Sequence, residues 1–288
     1  MKTGFIGLGS LGTPIAINLK ESGHEIYVYN RTASKTAPLA SAGAVVCKTI
    51  AELAKECTIV FTIVSDDAAL KSVCEADEGL IKNLLPGSIH ISMSTILPQT
   101  AAELAAAHAI NGQHYLAAPV FGRPEAAAAK KLNFVISGDE GIRNKIEPLL
   151  KDAGGAGVFH FGNTFTAANT VKLCGNFLIA SALEAIGESA ALASQSGVNA
   201  ADMWKMFSQT LFNTPLYQNY SNIILQQKFE PAAFTAKLGL KDMKLVLQQA
   251  AYVNQNMPLA ALLKNNMLQL VKDGKENIDW SAISLGGQ

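Results

Sequence analysis

Lys172 is the residue of this chain best placed to move a proton. It stands in Ala168-Asn169-Thr170-Val171-Lys172-Leu173-Cys174-Gly175-Asn176, among small and apolar neighbours with no acid beside it. An unpaired ammonium is costly to bury in such surroundings. At helical spacing Asn176 lies one turn on, so its amide and the Lys172 ammonium share a face and can meet one substrate oxygen, with Gly175 leaving room. Desolvation makes an ammonium easier to deprotonate, which suits a group that gives and takes a proton. The competing reading of the same residues is a lysine that snorkels to solvent from the edge of a helix.

A second set of residues points to a dinucleotide. Gly4-Phe5-Ile6-Gly7-Leu8-Gly9-Ser10-Leu11-Gly12 is a short apolar strand running into G-x-G-x-x-G, and Leu11, Ile15 and Leu19 then follow at helical spacing. In that strand, turn and helix context the motif predicts a pyrophosphate held by residues 7–12. Gly7 permits the tight turn, Gly9 lets the backbone approach the phosphates, and Gly12 lets the helix pack on the strand. The next strand, His24 to Tyr29, ends in Asn30-Arg31-Thr32, where an acid would hold a free ribose 2′-hydroxyl. No acid stands there. Arg31 offers a planar fork for a 2′-phosphate, with Asn30, Thr32 and Ser34 as neutral donors around it, so the predicted cofactor is NADP(H).

These residues need elements to position them. Near-continuous apolar runs at Thr58–Val64 and Ser88–Ser92 read as parallel strands covered on both faces. His114–Val120, Leu132–Ser137 and Val158–Phe161 read as further strands. Ala68–Cys74 and Gly79–Leu85 read as helices, and Gly141–Leu150 as a helix closing the sheet. This alternation predicts an α/β fold with an N-terminal doubly wound Rossmann sheet over residues 1–164. From about Phe165 strand signals vanish, and Ala168–Ser194 reads as one long helix. Further helices are predicted at Ala200–Gln209, Pro215–Gln227, Ala236–Asn254 and Leu259–Lys272, giving an all-α domain over 165–288.

Composition narrows the remaining classes. The 288 residues suit two domains, and 23 basic against 23 acidic residues leave no net charge for tracking phosphates, so nucleic acid is not an expected partner. With 49% hydrophobic and 16% charged residues, a homo-oligomer is expected, as a dimer or a tetramer. Cys47, Cys57, Cys74 and Cys174 form no C-x-x-C pair and no metal-ligand spacing with the histidines, so they are read as reduced core thiols and no metal is expected. The uncharged stretch 83–102 is broken by Pro86, Gly87, His90 and Pro98 and is not expected to span a membrane. A soluble cytoplasmic protein is the expectation. Met203, Trp204, Met206, Phe207 and Phe212 read as helix core or a dimer contact.

The glycine turn, Pro119-Val120-Phe121-Gly122, Lys172 with Asn176, and Lys241-Asp242 stand in an order and spacing that resembles the β-hydroxyacid dehydrogenase family over essentially the whole chain. The resemblance implies that Lys172 is the general acid/base on the substrate oxygen and that Asn176 helps hold the substrate. It also implies that Thr95 and Lys241 lie beside the nicotinamide end of the cofactor, with Val64, Ser65 and Asp66 lining its path. On its own residues, Lys241 shares a helical face with Lys237, a pattern that equally describes a solvated basic face. Phe234 and Asp242 are expected at the substrate pocket, with Phe234 capping it.

One segment departs from the family, whose substrate motif usually reads D-A-P-V-S-G-G. Here it is Ala117-Ala118-Pro119-Val120-Phe121-Gly122-Arg123. Two readings stand for its substrate-binding residues Phe121, Gly122 and Arg123. Either backbone N–H groups around Gly122 hold a carboxylate with Arg123 adding a bidentate contact, or Phe121 narrows an apolar pocket while Arg123 faces solvent. The implied function is an NADPH-dependent oxidoreductase acting on a small aldehyde, keto acid or β-hydroxy acid. The alternatives are an imine reductase, against which Lys172 argues, and a non-catalytic NADP-binding module.

Overall fold

The computed structural model describes residues 2–285. In chain order its elements are β1 Lys2–Ile6, α1 Gly12–Glu21, β2 Glu25–Tyr29, a 3-10 turn Ala33–Thr36, α2 Ala37–Ser41, β3 Val45–Val46, α3 Ile50–Glu56 and β4 Ile59–Thr62. Then come α4 Asp67–Glu75, α5 Leu80–Asn83, β5 Ile89–Ser92, α6 Pro98–Ile110, β6 His114–Ala117, β7 Val120–Phe121, α7 Pro124–Ala128, β8 Leu132–Ile136, α8 Glu140–Asp152 and β9 Gly155–His160. The rest is helical: α9 Ala167–Gln195, α10 Ala200–Gln209, α11 Pro215–Leu225, α12 Ala236–Tyr252, α13 Pro258–Lys272 and a 3-10 turn Trp280–Leu285.

Six strands form one sheet in the order β3-β2-β1-β4-β5-β6, every neighbouring pair parallel. The order reverses between β1 and β4, which opens a crevice at the carboxyl ends of those strands, where the glycine turn lies. Strand pleating explains why both faces are covered. Phe5, Val28 and Phe61 point into a core with Ile15 and Leu19 of α1, while Ile6, Tyr27 and Val60 point into a second core with Leu53, Leu70 and Leu104.

The predicted strand His114–Val120 is two strands in two sheets. Pro119 has no N–H to continue a ladder, and after Ala117 the chain leaves the main sheet. Val120 and Phe121 then pair antiparallel with β8, and β8 pairs parallel with β9 in a separate three-stranded sheet. Predicted Val158–Phe161 starts earlier, at Gly155.

A line of polar side chains runs through the second core. Thr62 Oγ1 lies 2.8 Å from His90 Nε2, His90 Nδ1 lies 2.9 Å from His108 Nε2, and His108 Nδ1 lies 2.7 Å from Gln113 Oε1. Cys74 Sγ is 3.8 Å from His90 Nδ1, so three potential metal ligands scattered over the sequence converge here, each in use in or beside a hydrogen-bonded chain. Burial, with His108 adding to it, holds the His90 imidazole well below its ordinary pKa; burial also lowers that of His108. Both rings therefore stay neutral in the folded chain where an unfolded chain would take up protons near pH 6.5. Stability is accordingly full above that pH and falls as pH drops through the window beneath it, by up to about 1.4 kcal/mol per pH unit per ring. Thermal melts should show Tm dropping between pH 7 and pH 5, before the carboxylates titrate. A flat Tm over that window would contradict the neutral pair.

Chain packing divides the molecule into two compact units, Met1–Lys172 and Leu173–Gln288. The sequence places the division at 164/165; in the structure α9 contributes its first turns to one unit and the remainder to the other. Taken whole, α9 is long and apolar enough, by length and composition, to cross a membrane. Two of its buried polar side chains bind other helices of the chain: Asn176 donates to Asp242 of α12, and Glu184 accepts from Asn266 of α13 at 2.7 Å. Gly187 lets this helix touch the last 3-10 turn, since a Cβ there would lie 2.4 Å from the Ser284 side chain.

Candidate active site

The glycine turn is built as a cradle. Gly7 has φ +101°, and a Cβ on it would stand 2.0 Å from the Ile63 carbonyl oxygen; one on Gly12 would stand 2.0 Å from the Gly7 carbonyl oxygen. A Cβ on Gly9, by contrast, would meet nothing within 4 Å. Gly9 and Ser10 are exposed, and α1 begins directly after them with no side-chain cap and no acid in its first turn. An open, uncapped and acid-free helix start beside a Cβ-free backbone fits a pyrophosphate.

Asn30 ties this turn to the next. Its Oδ1 accepts from Leu8 N at 2.9 Å and its Nδ2 donates to the Thr32 carbonyl at 2.9 Å, so the amide braces both loops. Arg31, Thr32 and Ser34 are exposed just beyond β2. Lys35, in the 3-10 turn that follows, adds a second exposed cation that the sequence reading passed over. Its signal was only its place, four residues after Arg31.

At the end of β4, Val64 N donates to Ser94 Oγ at 2.8 Å, and Asp67 accepts from Leu97 N at 2.9 Å. These bonds clamp the loop after β4 to the loop carrying half-buried Thr95. Ser65 donates to Asp66 at 2.8 Å, and Asp66 caps α4 through Ala69 N.

Lys172 is half-buried in the first turns of α9. Its Nζ donates to the Val120 carbonyl at 2.8 Å and lies 4.1 Å from the centroid of the Phe121 ring. The chain turns immediately afterwards at Gly122, φ +146°, where a Cβ would collide with Leu132 at 2.4 Å. Arg123 leads into α7, partly exposed, with Nε 3.8 Å from Glu125 Oε2. Asn169, three residues before Lys172, is buried with an amide oxygen that accepts no hydrogen bond among the described residues.

In the second unit, Asn176 is 4% and Asp242 0% exposed, and the Asn176 amide donates to the Asp242 carboxylate. The other carboxylate oxygen lies 2.8 Å from Lys241 Nζ. Asp242, expected at the substrate pocket, thus binds Asn176 with one carboxylate oxygen and Lys241 with the other. Phe234 packs edge-on against Trp280 at 4.7 Å. Lys237, Lys241 and Lys244 line one side of a groove of about 570 Å³ completed by Leu240, Leu268, Val271 and Glu276. The cysteines are free thiols; burial pushes Cys47 up to about 11 and Cys57 up to about 12, far from the reactive range.

The parallel sheet, the glycine cradle and the lysine on the following helix define an NAD(P)-dependent oxidoreductase, and the comparisons with known proteins agree. Residues 2–163 match the family model described as the NAD binding domain of 6-phosphogluconate dehydrogenase, and 166–284 that described as NAD-binding of NADP-dependent 3-hydroxyisobutyrate dehydrogenase. The chain is 42% identical over 283 residues to the Bacillus subtilis (strain 168) protein named uncharacterized oxidoreductase YfjR, covering 98% of each. It is 28% identical to glyoxylate/succinic semialdehyde reductase 1 of Arabidopsis thaliana, covering 98% of this chain and 97% of the other. The solved structure of Psf3 in complex with NADP+ and 2-OPP superposes with a TM-score of 0.89 at 25% identity, covering 98% of this chain and 99% of that one. The chain belongs to the β-hydroxyacid dehydrogenase family, enzymes that act on small molecules with a nicotinamide cofactor.

Proposed function

We propose that this enzyme is an NADPH-dependent reductase of a small aldehyde or keto acid, able to run in reverse on the hydroxy acid. The observation that carries the reading is the Lys172 ammonium, held at 2.8 Å by the Val120 carbonyl beside the Gly122 turn. The chemistry the cofactor supplies when bound is hydride transfer from its nicotinamide ring. Gly7 to Gly12 would hold its pyrophosphate, and Arg31, Thr32, Ser34 and Lys35 its 2′-phosphate. Lys172 gives a proton to the carbonyl oxygen as negative charge develops on it, and takes one back in the reverse direction. Asn176, braced by Asp242, steadies the same oxygen from one turn along α9. Backbone N–H groups around Gly122, with Arg123, are the best candidates for a substrate carboxylate.

A glyoxylate/succinic semialdehyde reductase among the relatives supports the substrate class, and an NADP+ complex among the similar structures supports the phosphate-bearing cofactor. Exposed Leu178, Leu192, Val198 and Leu211 in the helical unit support a homo-oligomer, dimer or tetramer, and four free thiols support a cytoplasmic setting.

The test is a panel of glyoxylate, succinic semialdehyde and cyclic imines, run with NADPH and NADH on the native chain and on Arg31→Asp. Carbonyl turnover with NADPH is expected. A charge-assisted hydrogen bond is worth about 1.5–3 kcal/mol, so Arg31→Asp should erase a tenfold to hundredfold preference for NADPH. Turnover of imines alone would overturn the carbonyl assignment, and an unchanged preference in Arg31→Asp the role of Arg31.

A further inference from the structure

The amine of Lys172 is gripped by two consecutive residues of one short strand. Val120 takes it through a backbone carbonyl at 2.8 Å, and Phe121 through the face of its ring, 4.1 Å from centroid to Nζ. A backbone carbonyl fixes one N–H direction of an ammonium carried on a flexible four-carbon stem. A ring face adds a second attraction from another side, because the negative quadrupole of the π system draws the cation. The ring is itself well anchored. Phe121 is half-buried against the second core, its strand is paired in register with Asn133 of β8, and the Gly122 turn follows directly. Leucine would fill the same space, but only an aromatic face attracts an ammonium.

We propose that Phe121 is a positioning residue for proton transfer: its π face holds the Lys172 ammonium in the attitude from which it meets the substrate oxygen. The inference rests on the reading of Lys172 as proton donor. It assigns Phe121 a task different from simply walling the pocket, since a wall acts through bulk and this acts through electron density on the ring.

The two tasks separate when the ring keeps its size and loses its quadrupole. In the full-length chain, Phe121 is replaced by mono-, tri- and pentafluorophenylalanine, and by Tyr and Leu. Carbonyl turnover and NADPH affinity are measured for each, the latter by quenching of protein fluorescence. The expected result is kcat falling stepwise with fluorination, about tenfold across the series, with NADPH affinity unchanged. Phe121→Tyr should stay within about twofold of the native chain and Phe121→Leu fall as far as the most fluorinated ring. Independently of turnover, the Lys172 ε-methylene protons should resonate upfield through the ring current and move downfield in Phe121→Leu. A kcat flat across fluorination, a fully active Phe121→Leu, or ε-methylene shifts that ignore the ring overturns the proposal. Lys172→Ala tells the two failures apart. If it is inactive while the fluorination series is flat, only the role of Phe121 falls; if it retains turnover, the proton-donor reading falls and this inference with it.

Discussion

Substituting alanine for Lys172 is expected to lower kcat for carbonyl reduction by about 10²- to 10⁴-fold, the range a positioned general acid supplies. NADPH affinity should hardly change, because the lysine lies on α9 and the residues assigned to the phosphates lie on the loops after β1 and β2. The fold should survive as well. The half-buried side chain gives up its hydrogen bond to the Val120 carbonyl and its contact with the Phe121 ring, neither of which closes the core. Stopped-flow measurement of NADPH oxidation under single turnover separates the chemical step from product release. A native single-turnover rate in Lys172→Ala would remove the lysine from the chemistry.

The second large effect concerns a residue with open space where a side chain would stand. Gly9 has open space where its Cβ would be, so Gly9→Ala should fold normally, with the Tm of the cofactor-free protein within about 1 °C of native. Any loss on binding must then come from the ligand meeting the new methyl group. If the pyrophosphate rests on this backbone, NADPH affinity should fall at least about a hundredfold, or about 2.7 kcal/mol. Gly12→Ala is the contrasting variant, because its methyl would press on the Gly7 carbonyl and the Ile63 side chain and so damage the fold itself. Calorimetric titration of Gly9→Ala with NADPH decides the matter, and native affinity would move the phosphates elsewhere.

Periodicity and glycine spacing made most of the first sheet and the helical half readable. α10 runs over the predicted Ala200–Gln209, and α12 begins at the predicted Ala236. What escaped has physical reasons. α6, Pro98–Ile110, carries alanine on every face, so no apolar stripe announces it. β3 is two exposed valines, too short for alternation to show. The break at Ala118-Pro119 was visible as a proline, but that the chain there starts a second sheet depends on β8 and β9 being available to pair. At the site, Lys172, Asn176 and Asp242 could be picked out singly. Their couplings could not, because the Asn176 to Asp242 bond spans 66 positions and the grip of Val120 on Lys172 spans 52.

The line from Thr62 to Gln113 carries information about direction as well as charge. Gln113 spends its two amide hydrogens on the carbonyls of Ile81 and Leu84, so its oxygen can only receive, and His108 must bear its hydrogen on Nδ1. That leaves His108 Nε2 as the receiver for His90 Nδ1–H, and His90 Nε2 as the receiver for the Thr62 hydroxyl. One buried amide thus dictates the tautomer of two imidazoles and the rotor of a hydroxyl at the end of β4. Four side chains from separate stretches of chain behave as a single polarised unit, with one permitted arrangement of hydrogens.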